Sequence, residues 1–173
     1  MRIEDVVALV EEAVKQLADR GRFHVDDRAD LEVFRQRGLR PWWPPYFLAL
    51  GYELAGMPDK ASATLGQVME EAERSSAVRE LASMHLLKGR LLEGKSNSKE
   101  AENSFRTSIE IARRQSAKSF ELRATTSLAR MLAKQDRRDE GRVMLAEIYG
   151  WFSEGFDTAD LKDARALLDE LNQ

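Results

Sequence analysis

Residues 87–105, LKGRLLEGKSNSKEAENSF, decide how the chain folds. A small residue, Gly89, lies three positions before a large one, Leu92, and a second small residue, Ala101, lies four positions before Phe105. Gly or Ala on each of two successive helices lets the helix backbones approach closely, and the large side chain beside each contact fills the remaining space. This stretch therefore predicts two helices packed as a hairpin.

The same pattern recurs 40 residues earlier and 40 residues later. The matching positions are Ala49, Tyr52, Ala61 and Leu65 in the first copy, and Ala129, Leu132, Gly141 and Leu145 in the third. The order small-x-x-large, then small-x-x-x-large, is typical of the tetratricopeptide repeat (TPR), whose usual period is about 34 residues. The additional residues amount to nearly two turns at about 3.6 residues per turn, so each copy should have longer helices.

Turn-forming residues and apolar periodicity place the helices. We expect helices near 44–56, 58–74, 78–93, 98–115, 119–135 and 138–153. A final helix should begin after Asp157 or Thr158 and carry one apolar face, formed by Leu161, Ala164, Leu167, Leu168 and Leu171. Such a helix, with its charged residues opposite, is suited to cap a stacked array.

The predicted fold class is all-α, a right-handed TPR-like α-solenoid of helical hairpins with a period of about 40 residues and a C-terminal capping helix. Residues 1–40 should form a divergent N-terminal helical pair, with helices near 3–17 and 28–38. Residues 41–156 should form three TPR-like repeats, and 157–173 the capping helix. The three parts would make a single continuous solenoid.

Composition excludes several classes of function. The chain has 173 residues, 43% hydrophobic and 33% charged, with a net charge of −3 and no cysteine. His24 and His85 are the only histidines, so no metal site is predicted. Adjacent carboxylates such as Glu11 and Glu12 point about 100° apart on a helix and do not converge on one substrate atom. We therefore predict no catalytic residue, no cofactor and no enzymatic activity.

The concave surface of a TPR array, lined by the first helix of each repeat, is the expected binding site. It should receive aromatic residues from the first repeat and basic ones from the third. The candidate groove residues are Trp43, Tyr46, Leu50, Glu53, Leu86, Arg90, Glu93, Arg123, Ser127, Arg130 and Lys134.

Aromatic residues flank the repeats on both sides. Trp42 and Trp43 could serve as core or as an anchor for a partner. Tyr46 and Phe47 are expected in the core, as are the aromatic residues between the last repeat and the cap, Trp151, Phe152 and Phe156.

Charge is uneven along the chain. Residues 113–142 contain 9 basic and 4 acidic side chains, whereas 143–173 contain 2 and 7. The basic stretch could attract an acidic partner, or simply form a solvated face. An isoelectric point near 5.6 and the lack of a helix-turn-helix sequence argue against nucleic acid as a partner.

No apolar run approaches the roughly 18 residues of a membrane span, so a soluble cytoplasmic protein without membrane contact is expected. Helix 3–17, rich in valine, could support a homo-oligomer.

Beyond the repeat pattern, the region from about Leu31 to Leu171 resembles the C-terminal TPR tail of large bacterial signalling proteins. In these proteins an adenylate/guanylate cyclase domain or a DNA-binding regulator domain precedes a STAND-type predicted ATPase, which the tail follows. The most specific segment is 149–161, YGWFSEGFDTADL. Further segments that carry the resemblance are 40–50, 87–92, 101–106, 111–115, 119–124 and 127–130.

This resemblance implies a non-catalytic scaffold that mediates protein or peptide interaction in bacterial signalling or regulation. The G-x-x-x-x-G-K-[ST] spacing of an ATPase P-loop is absent from the sequence, so the activities of the family's other domains are not implied. Two alternatives stay open. The chain could be a sensor of a small ligand or peptide, or a remnant or split part of a cyclase/ATPase regulator.

Overall fold

The computed structural model describes residues 43–54, 56–74, 78–95 and 97–173. All regular structure in these residues is helical, which confirms the all-α fold class for this part of the chain. The helices are α1 (Trp43–Leu54), α2 (Pro58–Arg74), α3 (Val78–Gly94), α4 (Ser98–Arg114), α5 (Lys118–Ala133), α6 (Arg138–Tyr149) and α7 (Ala159–Leu171). Most bounds agree with the predicted ones to within two residues. The predicted N-terminal pair, 1–40, lies outside the described residues.

The chain divides into two compact units, Met1–Val78 and Arg79–Gln173. In the first unit α1 packs against α2. Small and branched side chains of these two helices are buried, among them Leu48, Ala49, Ala61 and Leu65. In the second unit α5 is the central helix, since it packs against α4, α6 and α7. None of the helices formed by the described residues combines the length and the apolar character needed to cross a bilayer.

The small residues of the repeat lie where helices approach most closely. A Cβ atom on Gly89 of α3 would lie 2.5 Å from the ring of Phe105 on α4. One on Gly141 of α6 would lie 2.9 Å from the carbonyl oxygen of Ala129 on α5. Cβ atoms essentially never lie this close to another heavy atom. The observed approach of α3 to α4, and of α6 to α5, is therefore possible because glycine has no side chain.

The turn within each predicted hairpin has one geometry in all three copies. The backbone N–H of its last residue donates to a carbonyl five residues earlier: Met57 to Tyr52 at 2.9 Å, Asn97 to Leu92 at 3.0 Å, and Arg137 to Leu132 at 2.9 Å. This is the long hydrogen bond of the Schellman motif, which places one residue in the left-handed region. That residue is Gly56 (φ 69°) in the first copy and Asp136 (φ 60°) in the third. The same hydrogen bond also joins Ala117 to Ala112 at 2.9 Å, with Ser116 at a φ of 54°. This turn therefore occurs within the predicted hairpins and also between the second and third copies.

The capping helix buries the predicted face. Leu161, Ala164, Leu167, Leu168 and Leu171 are all buried, in a cluster shared with α5 and α6. Thr158 occupies the N-cap position, with an extended backbone and no capping hydrogen bond from its side chain. The predicted position and apolar face of this helix are confirmed, and its role as the cap of a solenoid stays a prediction.

The core assignment is wrong for three aromatic residues. Trp151 is 60% exposed, Phe156 46% and Phe47 48%. The reason at the C-terminal end is that α6 stops at Tyr149, four residues before the predicted end, and the chain then turns at Gly155, whose φ is 76°. Of Trp151, Phe152 and Phe156, it is Phe152 that packs against the buried cluster formed by α5, α6 and α7. The Lys118 ammonium lies 5.7 Å from the Trp151 ring centroid.

Four alternating charges join α4 to the start of α6. Arg106 contacts both Glu102 and Glu140 at 2.7 Å. Arg137 contacts the same two carboxylates, at 2.7 and 2.8 Å. Hydrogen bonds from Arg137 and Arg106 lower the pKa of Glu102 below its ordinary value, and hydrogen bonds from the same two arginines lower the pKa of Glu140. Both carboxylates therefore favour the charged form in the folded state.

This network makes stability depend on pH in a defined direction. A carboxylate with a lowered folded pKa stabilises the fold above its unfolded pKa of about 4.3, and that contribution is lost as the pH falls through the folded value. We expect Glu102→Gln to lower the urea midpoint at neutral pH, and this difference from the wild type should shrink below a pH of about 4.3. Glu147→Gln, at an exposed position of α6, is the control. A Glu102→Gln difference that stayed constant with pH would contradict the assignment.

Candidate binding cleft

Helix α5 and the residue that follows it, Lys134, carry a stripe of basic residues on one face. Arg123, Arg130 and Lys134 are seven and four residues apart, spacings that place them on the same side of a helix. The other sides of α5 carry buried residues that pack in the core, including Leu122 and Leu128. The stripe is therefore held on the central helix of the second unit.

Each basic residue of the stripe pairs with a carboxylate from another helix. Arg123 Nε donates to Asp160 Oδ2 at 2.6 Å, and Arg130 Nη2 to Asp163 Oδ1 at 2.8 Å. Lys134 Nζ donates to Glu93 Oε1 at 2.9 Å. The first two pairs link α5 to α7, and the third links it to α3.

These three helices enclose a polar cleft of about 490 Å³. Its lining residues are Leu86, Arg90, Glu93, Arg123, Thr126, Ser127, Arg130, Asp160 and Asp163. A smaller hollow of about 270 Å³ shares Arg130 with it, and is also lined by Lys134 and Arg138. The Arg138 guanidinium donates there to the carbonyl of Glu170. The basic stripe thus continues from the main cleft into the second hollow.

Two hydroxyl groups lie among the lining residues on α5. Thr126 Oγ1 donates to the carbonyl of Leu122 at 2.8 Å, and Ser127 Oγ donates to the carbonyl of Arg123 at 3.1 Å. Because each hydroxyl proton is directed to the helix backbone, the oxygen lone pairs are what these groups present to the cleft. This part of the lining therefore accepts hydrogen bonds.

The ion pairs around the cleft orient side chains more than they stabilise the fold. The side chains of Arg123 and Arg130 are close to half exposed. Exposed pairs of this kind contribute about 0–1 kcal/mol to stability. Their main effect is to bias the orientation of the guanidinium groups along the wall.

The structure brings together most of the groove residues predicted for the second and third repeats. Leu86, Arg90, Glu93, Arg123, Ser127 and Arg130 line the cleft, and Lys134 lies beside it through its contact with Glu93. Those predicted for the first repeat lie on α1, in the first unit. Tyr46, Leu50 and Glu53 are partly buried there, and the side chain of Trp43 lies outside the described residues.

Sequence reasoning missed the acidic side of the cleft. Asp160 and Asp163 belong to α7, which was expected to supply only an apolar face and a solvated one. Their spacing of three residues, at the edge of the apolar face beside Ala164 and Leu167, was the available signal. The sequence could not show which side of α7 would face α5.

The cleft offers donors, acceptors and charges of both signs, a set suited to recognising a polar segment. Within the described part of the chain, no three His, Asp or Glu side chains converge as a metal site would require. A comparison with protein-family models finds none that matches this chain, and a comparison with curated proteins finds no matching sequence.

Proposed function

We propose that this chain is a non-catalytic TPR-type scaffold that binds a protein or peptide partner in the cleft between α3, α5 and α7. One observation carries the proposal: six residues that the repeat pattern assigns to the concave surface line a single cleft. TPR arrays bind extended or helical peptides on that surface. The lining is polar and charged, as expected for recognition of a segment by its side chains and backbone.

The TPR assignment has two further supports. The hairpin turns repeat one hydrogen-bonding pattern every 40 residues, and the small residues Gly89 and Gly141 sit at close helix contacts. We further propose, from the resemblance of 149–161, that the chain acts in the cytoplasm in bacterial signalling or regulation. A right-handed solenoid that continues through all the repeats belongs to the same proposal.

Photo-crosslinking from the cleft tests the proposed function. A benzophenone amino acid at Ser127 would project into the cleft, whereas the same amino acid at Glu147 would lie on the exposed side of α6. In the native organism we expect discrete protein adducts from position 127 and none of the same adducts from position 147. Identical adducts from both positions, or none from position 127, would contradict the proposal.

A sensor of a small ligand is the second candidate. The cleft volume of about 490 Å³ lies within the range of about 300–1,000 Å³ typical of small-molecule sites. A metabolite present at about 100 times its dissociation constant would add about 2.7 kcal/mol to stability. A thermal-shift screen that gives a specific hit, together with no protein adduct from position 127, would favour this function over the scaffold.

A further inference from the structure

The arginines of the cleft wall keep most of their hydrogen-bonding capacity. A guanidinium carries five N–H donors. Arg123 uses Nε for Asp160, and Arg130 uses Nη2 for Asp163. Among the described residues, the remaining N–H groups of both guanidinium groups donate to no other protein atom. A ligand carboxylate can therefore take two parallel hydrogen bonds from either arginine while the existing pairs stay in place.

The existing pairs also reduce the cost of binding. An arginine side chain that is free in solution loses rotamer entropy when a ligand immobilises it. Asp160 and Asp163 already pair with Arg123 and Arg130 in the unliganded protein. These pairs bias both planar guanidinium groups toward one orientation, two helical turns apart along α5.

Charge and hydrogen-bond polarity distinguish between possible ligands. The cleft lining contains three arginines and three carboxylates, so its formal charges balance. Each carboxylate is already paired with a basic residue of the stripe, whereas Arg123 and Arg130 have unused N–H donors. Because hydrogen bonds from a guanidinium to a charged acceptor are about twice as strong as neutral ones, these donors favour a ligand that carries carboxylates. The oxygen atoms of Thr126 and Ser127 accept hydrogen bonds, so the ligand should also supply N–H donors. A peptide backbone has such donors, and inorganic phosphate or sulfate lacks them.

We propose that the cleft takes an acidic peptide segment. Its Glu or Asp carboxylates pair with the unused donors of Arg123 and Arg130, and its backbone N–H groups face the hydroxyls of Thr126 and Ser127. This inference rests on the proposed scaffold function and specifies the chemistry of its partner.

The experiment measures binding to the full chain by fluorescence anisotropy. The probes are three matched sets of short labelled peptides that differ only in carrying Glu, Gln or Lys at the same positions. We expect the Glu set alone to bind, with affinity that falls as salt is raised. The double variant Arg123→Gln/Arg130→Gln should lose at least about tenfold in affinity, because it removes the charge-assisted hydrogen bonds of both guanidinium groups.

Arg165→Gln is the matched control, because Arg165 also pairs with a carboxylate on α7, Asp169, but does not line the cleft. It should bind the Glu peptides as the wild type does. Equal binding of the Gln or Lys set would overturn the inference, as would competition by inorganic phosphate as effective as that of unlabelled Glu peptide. Absence of binding by all three sets overturns it too, and crosslinking from position 127 then decides separately whether the scaffold function survives.

Discussion

Replacement of Gly141 by leucine is expected to lower the free energy of unfolding by about 3 kcal/mol, the upper end of the usual cost of overpacking. A Cβ atom at this position would lie 2.9 Å from the carbonyl oxygen of Ala129 and 3.0 Å from its Cα. These are backbone atoms of the central helix α5, so no side-chain rotation can relieve the contact. The helices α5 and α6 would have to separate, which would open the buried cluster around Leu145.

Gly66→Leu provides the control for the same change in another helix. Gly66 lies on α2, is exposed, and has no atom within 4 Å of an added Cβ. Because leucine favours a helix over glycine by up to about 1 kcal/mol, this variant should be slightly more stable than the wild type. Urea denaturation followed by far-ultraviolet circular dichroism measures both. Equal effects of the two substitutions would show that α5 and α6 do not approach closely at Gly141.

Helix positions could be predicted because they depend on local spacing. The small residues Gly89 and Gly141 mark helix contacts through the lack of a side chain, and a 40-residue repeat reveals them without any structure. The turn near Asp136 was predicted as a turn, but its left-handed backbone was not. Aspartate tolerates the left-handed conformation without requiring it. The residue type therefore does not predict this conformation, which accompanies the hydrogen bond from Arg137 to Leu132 in the structure.

The cleft was predictable on one side only. Arg123 and Arg130 share a face with Ser127 because all three follow the phase of α5, which the repeat fixes. The contribution of Asp160 depends on how α7 returns onto α5, and the turn at Gly155 determines that path. The same connection explains the exposure of Trp151, since hydrophobic character alone does not distinguish a buried aromatic residue from one on the outside of a turn.

The core between α3 and α4 gives the largest expected effect. Phe105 is fully buried against residues of three helices, among them Leu86, Ala101 and Leu128. Phe105→Ala removes the ring and leaves a cavity, so it should cost about 3–5 kcal/mol. Gly89→Ala should also destabilise, by about 1–3 kcal/mol, because the new Cβ would lie 2.5 Å from the ring.

In the Phe105→Ala background, Gly89→Ala should raise the free energy of unfolding instead of lowering it. Without the Phe105 ring, the three atoms nearest to the added methyl group at position 89 are absent. The methyl group can then fill part of the cavity, and it improves helix propensity by up to about 1 kcal/mol. Gly89→Ala is therefore expected to stabilise the Phe105→Ala variant, and the interaction energy in the double-mutant cycle should reach about 1–3 kcal/mol. The control cycle pairs Gly89→Ala with Leu145→Ala, since Leu145 is buried in a different cluster and its effect should be additive. If the Phe105 cycle were equally additive, the contact between Gly89 and the ring would not be what holds α3 against α4.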